Sequence, residues 1–140
     1  MVGSLPLLRI AVALGGCVPV FAGLAGVVLG PGMVAGATGG WDAAQDSHFR
    51  YLSGLLLGIG LGFWSTIPAL PARTARFRLL TAIVVLGGLA RLAALFGQGW
   101  PGGPMAAALG MELVVTPLLC LWQGRVAREA ERNMAPQAAA

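Results

Sequence analysis

Four apolar runs alternate with short polar or proline-rich segments along the chain. They cover residues 5–29, 49–67, 79–96 and 105–122. Each run is close to the roughly 20 residues that an α-helix needs to cross a bilayer. The segments between them are rich in Pro and Gly, which end helices. The pattern therefore predicts an all-α, integral membrane four-helix bundle that forms a single domain over residues 1–122. Residues 123–140 are predicted to form a cytoplasmic helical extension and a disordered tail.

The composition agrees with residence in a membrane. Hydrophobic residues make up 57% of the 140 residues and charged residues only 10%. Soluble domains usually carry about 25% charged residues, and a small soluble domain has too much surface to lack them. The net charge of +4 could indicate nucleic-acid binding. We reject that interpretation because the arginines cluster at the ends of apolar runs.

The arginines also predict an orientation in the membrane. If the amino terminus is cytoplasmic, the following seven of the nine arginines fall on the cytoplasmic side: Arg9, Arg73, Arg76, Arg78, Arg125, Arg128 and Arg132. Cytoplasmic loops of membrane proteins carry such an excess of basic residues. With four spans, both termini are then cytoplasmic.

A polar cluster opens the second apolar run. Asp42 and Gln45 have the spacing of a capping box, which would start the helix outside the membrane. Asp46 and Arg50 would then form an i, i+4 ion pair. The alternative is that Asp46 is itself the N-cap residue, and the sequence leaves both possibilities open.

A stripe of glycines continues from this cluster. Arg50, Gly54, Gly58 and Gly62 are spaced four residues apart and therefore share one face of a helix. In lipid, such a stripe lets another helix approach closely. We expect Gly58 to lie at a helix–helix contact, and the Gly54, Gly58 and Gly62 face to be a surface for homo- or hetero-oligomers.

Two charged residues interrupt the later apolar runs. Arg91 lies in the third run and Glu112 in the fourth, at matching depths in the outer half of the bilayer. A charge at such a position costs about 2.5–3.5 kcal/mol on insertion scales, so each should find a partner. We therefore predict a buried Arg91–Glu112 ion pair, with Arg50 nearby and with Asp46 and His48 above it.

Several kinds of chemistry lack the residues that they need. There is no nucleophile–base pattern and no phosphate-binding loop, and one histidine cannot make a zinc site unaided. Cys17 and Cys120 both lie inside apolar runs, where a free cysteine behaves as a small hydrophobe. We expect neither a metal nor a cofactor.

Three separate motifs carry a resemblance to a known family. They are Asp46-x-His48-x-Arg50-Tyr51-Leu52-x-Gly54, then Gly87-Gly88-x-x-Arg91, then Glu112-Leu113. Together they resemble a bacterial membrane family, the domain of unknown function 4345, over nearly the whole chain. The overall plan is also similar to that of DoxX-like membrane proteins. The resemblance implies four transmembrane helices and no established chemistry.

The sequence leaves three hypotheses for function. The preferred one is a multi-pass protein of the inner (plasma) membrane whose outer-half site binds a lipophilic small molecule, such as a quinone, an isoprenoid or a lipid. The ligand-binding residues would be Asp46, His48, Arg50, Arg91 and Glu112. The second is a membrane enzyme in which Glu112 is the catalytic acid–base residue acting on an apolar substrate. The third is an accessory membrane subunit in which the ion pair only holds helices in register.

Overall fold

A computed structural model describes residues 4–34 and 39–134, which are helical almost throughout. The helices are α1 (Ser4–Leu29), α2 (Ala43–Trp64), α3 (Thr74–Gln98), α4 (Gly103–Gly110) and α5 (Thr116–Met134). A π-helical segment, Met111–Val115, joins α4 to α5, so that these three pieces make one continuous helix. Helix α5 continues to Met134, and the predicted cytoplasmic extension after residue 122 stays a prediction. Residues 135–140, which include most of the predicted disordered tail, lie outside the described residues.

The chain divides into two compact units. One, the α1–α2 unit, comprises Ile10–Ile67. The other, the α3–α5 unit, comprises Met1–Arg9 and Pro68–Ala140. Each unit has helix–helix contacts of its own.

Three helical stretches are long and apolar enough to cross a membrane: Ser4–Met33, Ile67–Gln98 and Gly103–Met134. Helix α2 is not among them, although the sequence pattern predicts a span there. The physical reason is that its first eight residues include Asp46, His48 and Arg50, which leave an apolar segment shorter than the bilayer core. The structure thus supports three potential spans in an all-α chain, and a fourth span at α2 remains a prediction.

Helix α2 begins with the predicted capping box. The Asp42 carboxylate accepts a hydrogen bond from the Gln45 backbone N–H at 2.7 Å, and the Asp42 N–H donates to Gln45 Oε1 at 3.2 Å. These bonds satisfy donors that a helix start would otherwise leave free. Asp42 is therefore the N-cap residue, and the alternative that assigns this role to Asp46 is wrong.

In the α1–α2 unit, the helices meet through glycines of α1. A Cβ on Gly23 would lie 2.5 Å from the backbone nitrogen of Leu57, and one on Gly26 would overlap the Ser53 hydroxyl. A Cβ on Gly16 would likewise overlap the indole of Trp64, whose Nε1–H donates to a carbonyl of α1 at 3.0 Å. Small residues permit this close backbone approach, which favours helix association in lipid.

Within the α1–α2 unit, Gly58 does not lie at the helix–helix contact that the glycine stripe predicts. Gly58 is exposed, and a Cβ there would meet no heavy atom of the described residues within 4 Å. On α2 it is Gly60 that is buried, with its Cβ position 2.9 Å from the backbone nitrogen of Val20. Gly60 lies two residues from Gly58, which places it on nearly the opposite side of the helix. It stays a prediction that the face formed by Gly54, Gly58 and Gly62 contacts another chain.

The α3–α5 unit has a small core at the arginine-rich end of its helices. The fully buried side chains there include Leu8, Leu70 and Phe77, together with the amide of Gln123. Gln123 Nε2 donates to the Leu70 carbonyl and to the Thr74 hydroxyl, each at 2.9 Å. Because buried polar groups are costly when unpaired, these bonds hold the 3-10 segment Ile67–Arg73 against α5.

Large apolar side chains cover much of the remaining surface. Leu86, Phe96, Leu118 and Leu121 are each more than half exposed. Contiguous exposed apolar surface of this kind is unusual in soluble proteins and marks contact with lipid or with another protein. The exposed faces are thus those expected of helices that lie in a bilayer.

Candidate functional site

The predicted ion pair between Arg91 and Glu112 is present in the α3–α5 unit. Arg91 Nε donates to Glu112 Oε2 at 3.0 Å, and Nη2 donates to Oε1 at 3.1 Å. This two-pronged geometry is the strongest form of an arginine–carboxylate contact. Nη1 of Arg91 in addition lies 3.0 Å from the sulfur of Met105. The arrangement brings α3, α4 and the π segment together at one polar point.

Gly88 determines how closely the two helices approach at this point. It is buried on α3, one turn before Arg91, and a Cβ there would lie 2.9 Å from Cβ of Glu112. The neighbouring Gly87 is exposed and has nothing of the described residues within 4 Å of its Cβ position. Of the two glycines that precede Arg91, only Gly88 therefore makes the contact.

The π-helical segment that carries Glu112 has a local cause in the sequence. Pro117 has no N–H and its ring would clash with the carbonyl of Leu113, one turn earlier. The wider π turn avoids that clash. Within it, the N–H and the hydroxyl of Thr116 both donate to the carbonyl of Met111, five residues earlier. Such single π turns occur often at functional sites. Here the turn sets the direction in which Glu112 leaves the helix.

The ion pair is less buried than the sequence predicts. The Arg91 and Glu112 side chains are 36% and 20% exposed. The prediction of a buried salt bridge is therefore corrected to a half-buried one. Two N–H groups of Arg91, one on each Nη nitrogen, are left for a further partner.

Arg50 makes a different set of contacts in the α1–α2 unit. Its Nε donates to Asp46 Oδ2 at 2.8 Å, which confirms the predicted i, i+4 pair. Its Nη1 donates to the carbonyls of Val27 at 2.6 Å and Val28 at 3.0 Å, in the last turn of α1. The last carbonyls of a helix lack partners and carry partial negative charge, so a cation is stabilised there. Arg50 thus caps α1 from the neighbouring helix.

The remaining predicted residues divide between the two units. Asp46 is paired with Arg50 and His48 is exposed on α2, both in the α1–α2 unit. Arg91 and Glu112 are paired in the α3–α5 unit. A single ligand site made of all five residues stays a prediction, as does the assignment of Glu112 as an acid–base catalyst. Among the described residues, no three His, Cys, Asp or Glu side chains come together as a metal site would require.

Three parts of these sites were not predicted from the sequence. Met105 and the carbonyls of α1 give no signal, because a thioether or a backbone group becomes a partner only through folding. The close-packing glycines of α1, together with Gly30 directly after it, do have a signal. Gly16, Gly23, Gly26 and Gly30 recur at spacings of seven, three and four, which is the repeat of a helix–helix seam.

The fold and the paired charges define a class of protein: an all-α chain with membrane-spanning potential and charged pairs placed between its apolar helices. The family is shown directly. The chain belongs to the family described as domain of unknown function (DUF4345), whose sequence model matches residues 7–123. No curated protein and no solved structure is detectably similar to the chain. The likeness to DoxX-like proteins stays a prediction.

Proposed function

We propose that this chain is a four-span protein of the inner membrane, and that the Arg91–Glu112 pair holds the polar head of a lipophilic small molecule in the outer half of the bilayer. The supporting observation is the half-open guanidinium of Arg91. Glu112 fixes its orientation through two bonds, while two N–H groups stay available. The proposed ligand class comprises quinones, isoprenoids and lipids with a carbonyl or anionic head group.

The surroundings of the pair favour an amphipathic ligand. Met105, whose sulfur contacts Arg91, and Val115, about one turn after Glu112, are exposed apolar residues beside the pair. A molecule with an acyl or prenyl chain could cover such side chains while its head accepts hydrogen bonds from Arg91. Arg91 lies seven residues before the end of α3, about 10 Å along the helix. In the proposed orientation this is the depth at which head groups give way to acyl chains.

One observation favours a second interpretation, in which the pair is only a scaffold. Both carboxylate oxygens of Glu112 bind Arg91, so the two charges satisfy each other without a ligand. Ion pairs of this kind can hold helices in register. The two interpretations predict different outcomes when both charges are removed together.

The test uses Arg91→Met with Glu112→Leu, which leaves no stranded charge. We expect this double variant to fold with an unfolding midpoint near that of the wild type, because replacing both partners by apolar residues is often neutral. Glu112→Ala alone should destabilise by about 1–3 kcal/mol, since it strands the guanidinium. Thermal unfolding in detergent measures both.

The ligand is then measured by mass spectrometry of lipophilic molecules that copurify with the full-length protein. The double variant should lose a molecule that the wild type retains, whereas Arg132→Gln, which removes an exposed arginine, should retain it. If the folded double variant keeps every copurifying molecule, the pair is a scaffold and the proposed function is wrong.

A further inference from the structure

Two arginine side chains converge over a glycine in the α3–α5 unit. A Cβ on Gly124 would lie 3.7 Å from Nη1 of Arg128 and 4.0 Å from Nη2 of Arg78. Arg128 is one turn further along α5, and Arg78 lies in the first turns of α3. Both nitrogen atoms therefore lie within 4.0 Å of the position that a Cβ on Gly124 would occupy. The distance between the two nitrogens is no larger than the sum of these two distances.

Neither of these cations is neutralised. Within residues 4–34 and 39–134, Arg78 and Arg128 form no ion pair and no hydrogen bond with a protein acceptor. Both side chains belong to exposed residues. Arginine stays charged at any physiological pH, and two like charges this close repel each other. An anion between them would turn that repulsion into two attractions.

We propose that Arg78 and Arg128 together bind a phosphate-bearing anion over Gly124. The guanidinium is planar and presents paired donors that match phosphate oxygens. Each charge-assisted bond is about 2.8 Å long, so a phosphate group between the two arginines can bond to both. Gly124 contributes by having no long side chain: a Cβ alone would make ordinary contacts with the two guanidinium groups, whereas a side chain as large as Leu would project between them.

The position of the pair indicates where this anion comes from. Arg78 precedes Arg91 by thirteen residues on α3, which is about 20 Å along the helix. It lies at the arginine-rich end, which the proposed orientation places at the cytoplasmic leaflet. Basic pockets between helices on that side bind anionic head groups. The shared chemistry is the phosphate group, supplied either by a phospholipid or by free phosphate, and the site is separate from the one at Arg91.

The experiment measures binding to the full-length protein in a nonionic detergent by native mass spectrometry. The probes are phosphatidylglycerol, diacylglycerol (which lacks the phosphate) and inorganic phosphate. We expect phosphatidylglycerol to bind and diacylglycerol not to bind. Arg78→Gln with Arg128→Gln should weaken binding at least about tenfold, since each variant removes a hydrogen bond to a charged group.

Two further variants separate a local site from general charge attraction. Arg125→Gln with Arg132→Gln makes the same change in net charge on exposed parts of α5, and we expect less than about a twofold effect. Gly124→Leu keeps both arginines but fills the space between them, and it should weaken binding as the arginine variants do. Repeating the titrations with Arg91→Met and Glu112→Leu in place excludes any contribution of the other site.

Each result decides the proposal. If inorganic phosphate binds and phosphatidylglycerol does not, with the same dependence on Arg78 and Arg128, the site takes free phosphate. An equal loss in the Arg125 and Arg132 control, unchanged binding in Gly124→Leu, or binding of neither phosphate probe would overturn it. The proposal for Arg91 is unaffected by any of these results, because it depends on different residues.

Discussion

At the scale of single residues, Gly30 and Arg50 together complete the end of α1. Gly30 has a φ of 66°, the left-handed conformation that ends many helices. Its Cβ position lies 2.6 Å from Asp46 Oδ1 and 2.7 Å from Nη2 of Arg50. A side chain there would strain the backbone. It would also clash with the Asp46–Arg50 pair, whose arginine binds the last carbonyls of α1.

Gly30→Ala should therefore lower the free energy of unfolding by about 1–2 kcal/mol, the usual cost of placing a non-glycine residue in the left-handed region. Gly32→Ala is the matched control, because its Cβ position has no neighbour within 4 Å. Thermal unfolding of the purified proteins in detergent compares them. Equal stability of the two variants would show that the Gly30 turn and the Arg50 cap add little.

At the scale of helices, the contact between α1 and α2 depends on which side of each helix its small residues occupy. Gly23 is buried with its Cβ position against the backbone of Leu57, whereas Gly58 is open. Backbone atoms cannot move aside as a flexible side chain can. The two glycines should therefore respond differently to the same substitution.

We expect Gly23→Val to reduce the yield of folded monodisperse protein severely and Gly58→Val to leave it near wild type. Size-exclusion chromatography after detergent extraction measures both. If Gly58→Val instead lowers the apparent size of the particle without unfolding it, the open glycine face contacts a second chain, as the sequence predicts. Equal, severe loss in both variants contradicts the contact between Gly23 and the Leu57 backbone.

At the scale of the whole molecule, the number of spans is decided by α2. Its polar first turns leave it outside the set of helices that are apolar enough to cross a membrane. Crossing is still reasonable, because Arg50 and Asp46 pair with each other and Arg50 also bonds to the carbonyls of α1. These contacts reduce the cost of placing the charges at the edge of the bilayer.

Single cysteines at Gly39 and Met134, in a chain whose Cys17 and Cys120 are replaced by Ala, decide between three and four spans. With four spans the two positions lie on opposite sides of the membrane, and a membrane-impermeant thiol reagent should label only one in sealed vesicles. With three spans they lie on the same side. Labelling of both positions from one side would exclude the four-span proposal.

Features that depend on neighbouring residues were predictable from the sequence alone. The helices follow the apolar runs, the capping box at Asp42 follows from a three-residue spacing, and the Asp46–Arg50 pair follows from one helical turn. The Arg91–Glu112 pair was predictable at long range because two opposite charges in apolar helices have few other partners. Local geometry and the cost of charge in lipid thus determine these features.

Only the tertiary structure decided how each helix is rotated and what its polar groups meet. A helix that is apolar on nearly every side carries little signal for which face is inside. The glycine pattern therefore indicated a helix contact at Gly58, whereas the contact with α1 is made by Gly60. The bonds from Arg50 to the α1 carbonyls and the convergence of Arg78 and Arg128 over Gly124 likewise join residues far apart in the chain. Such contacts arise from the approach of two backbones, which no local sequence spacing specifies.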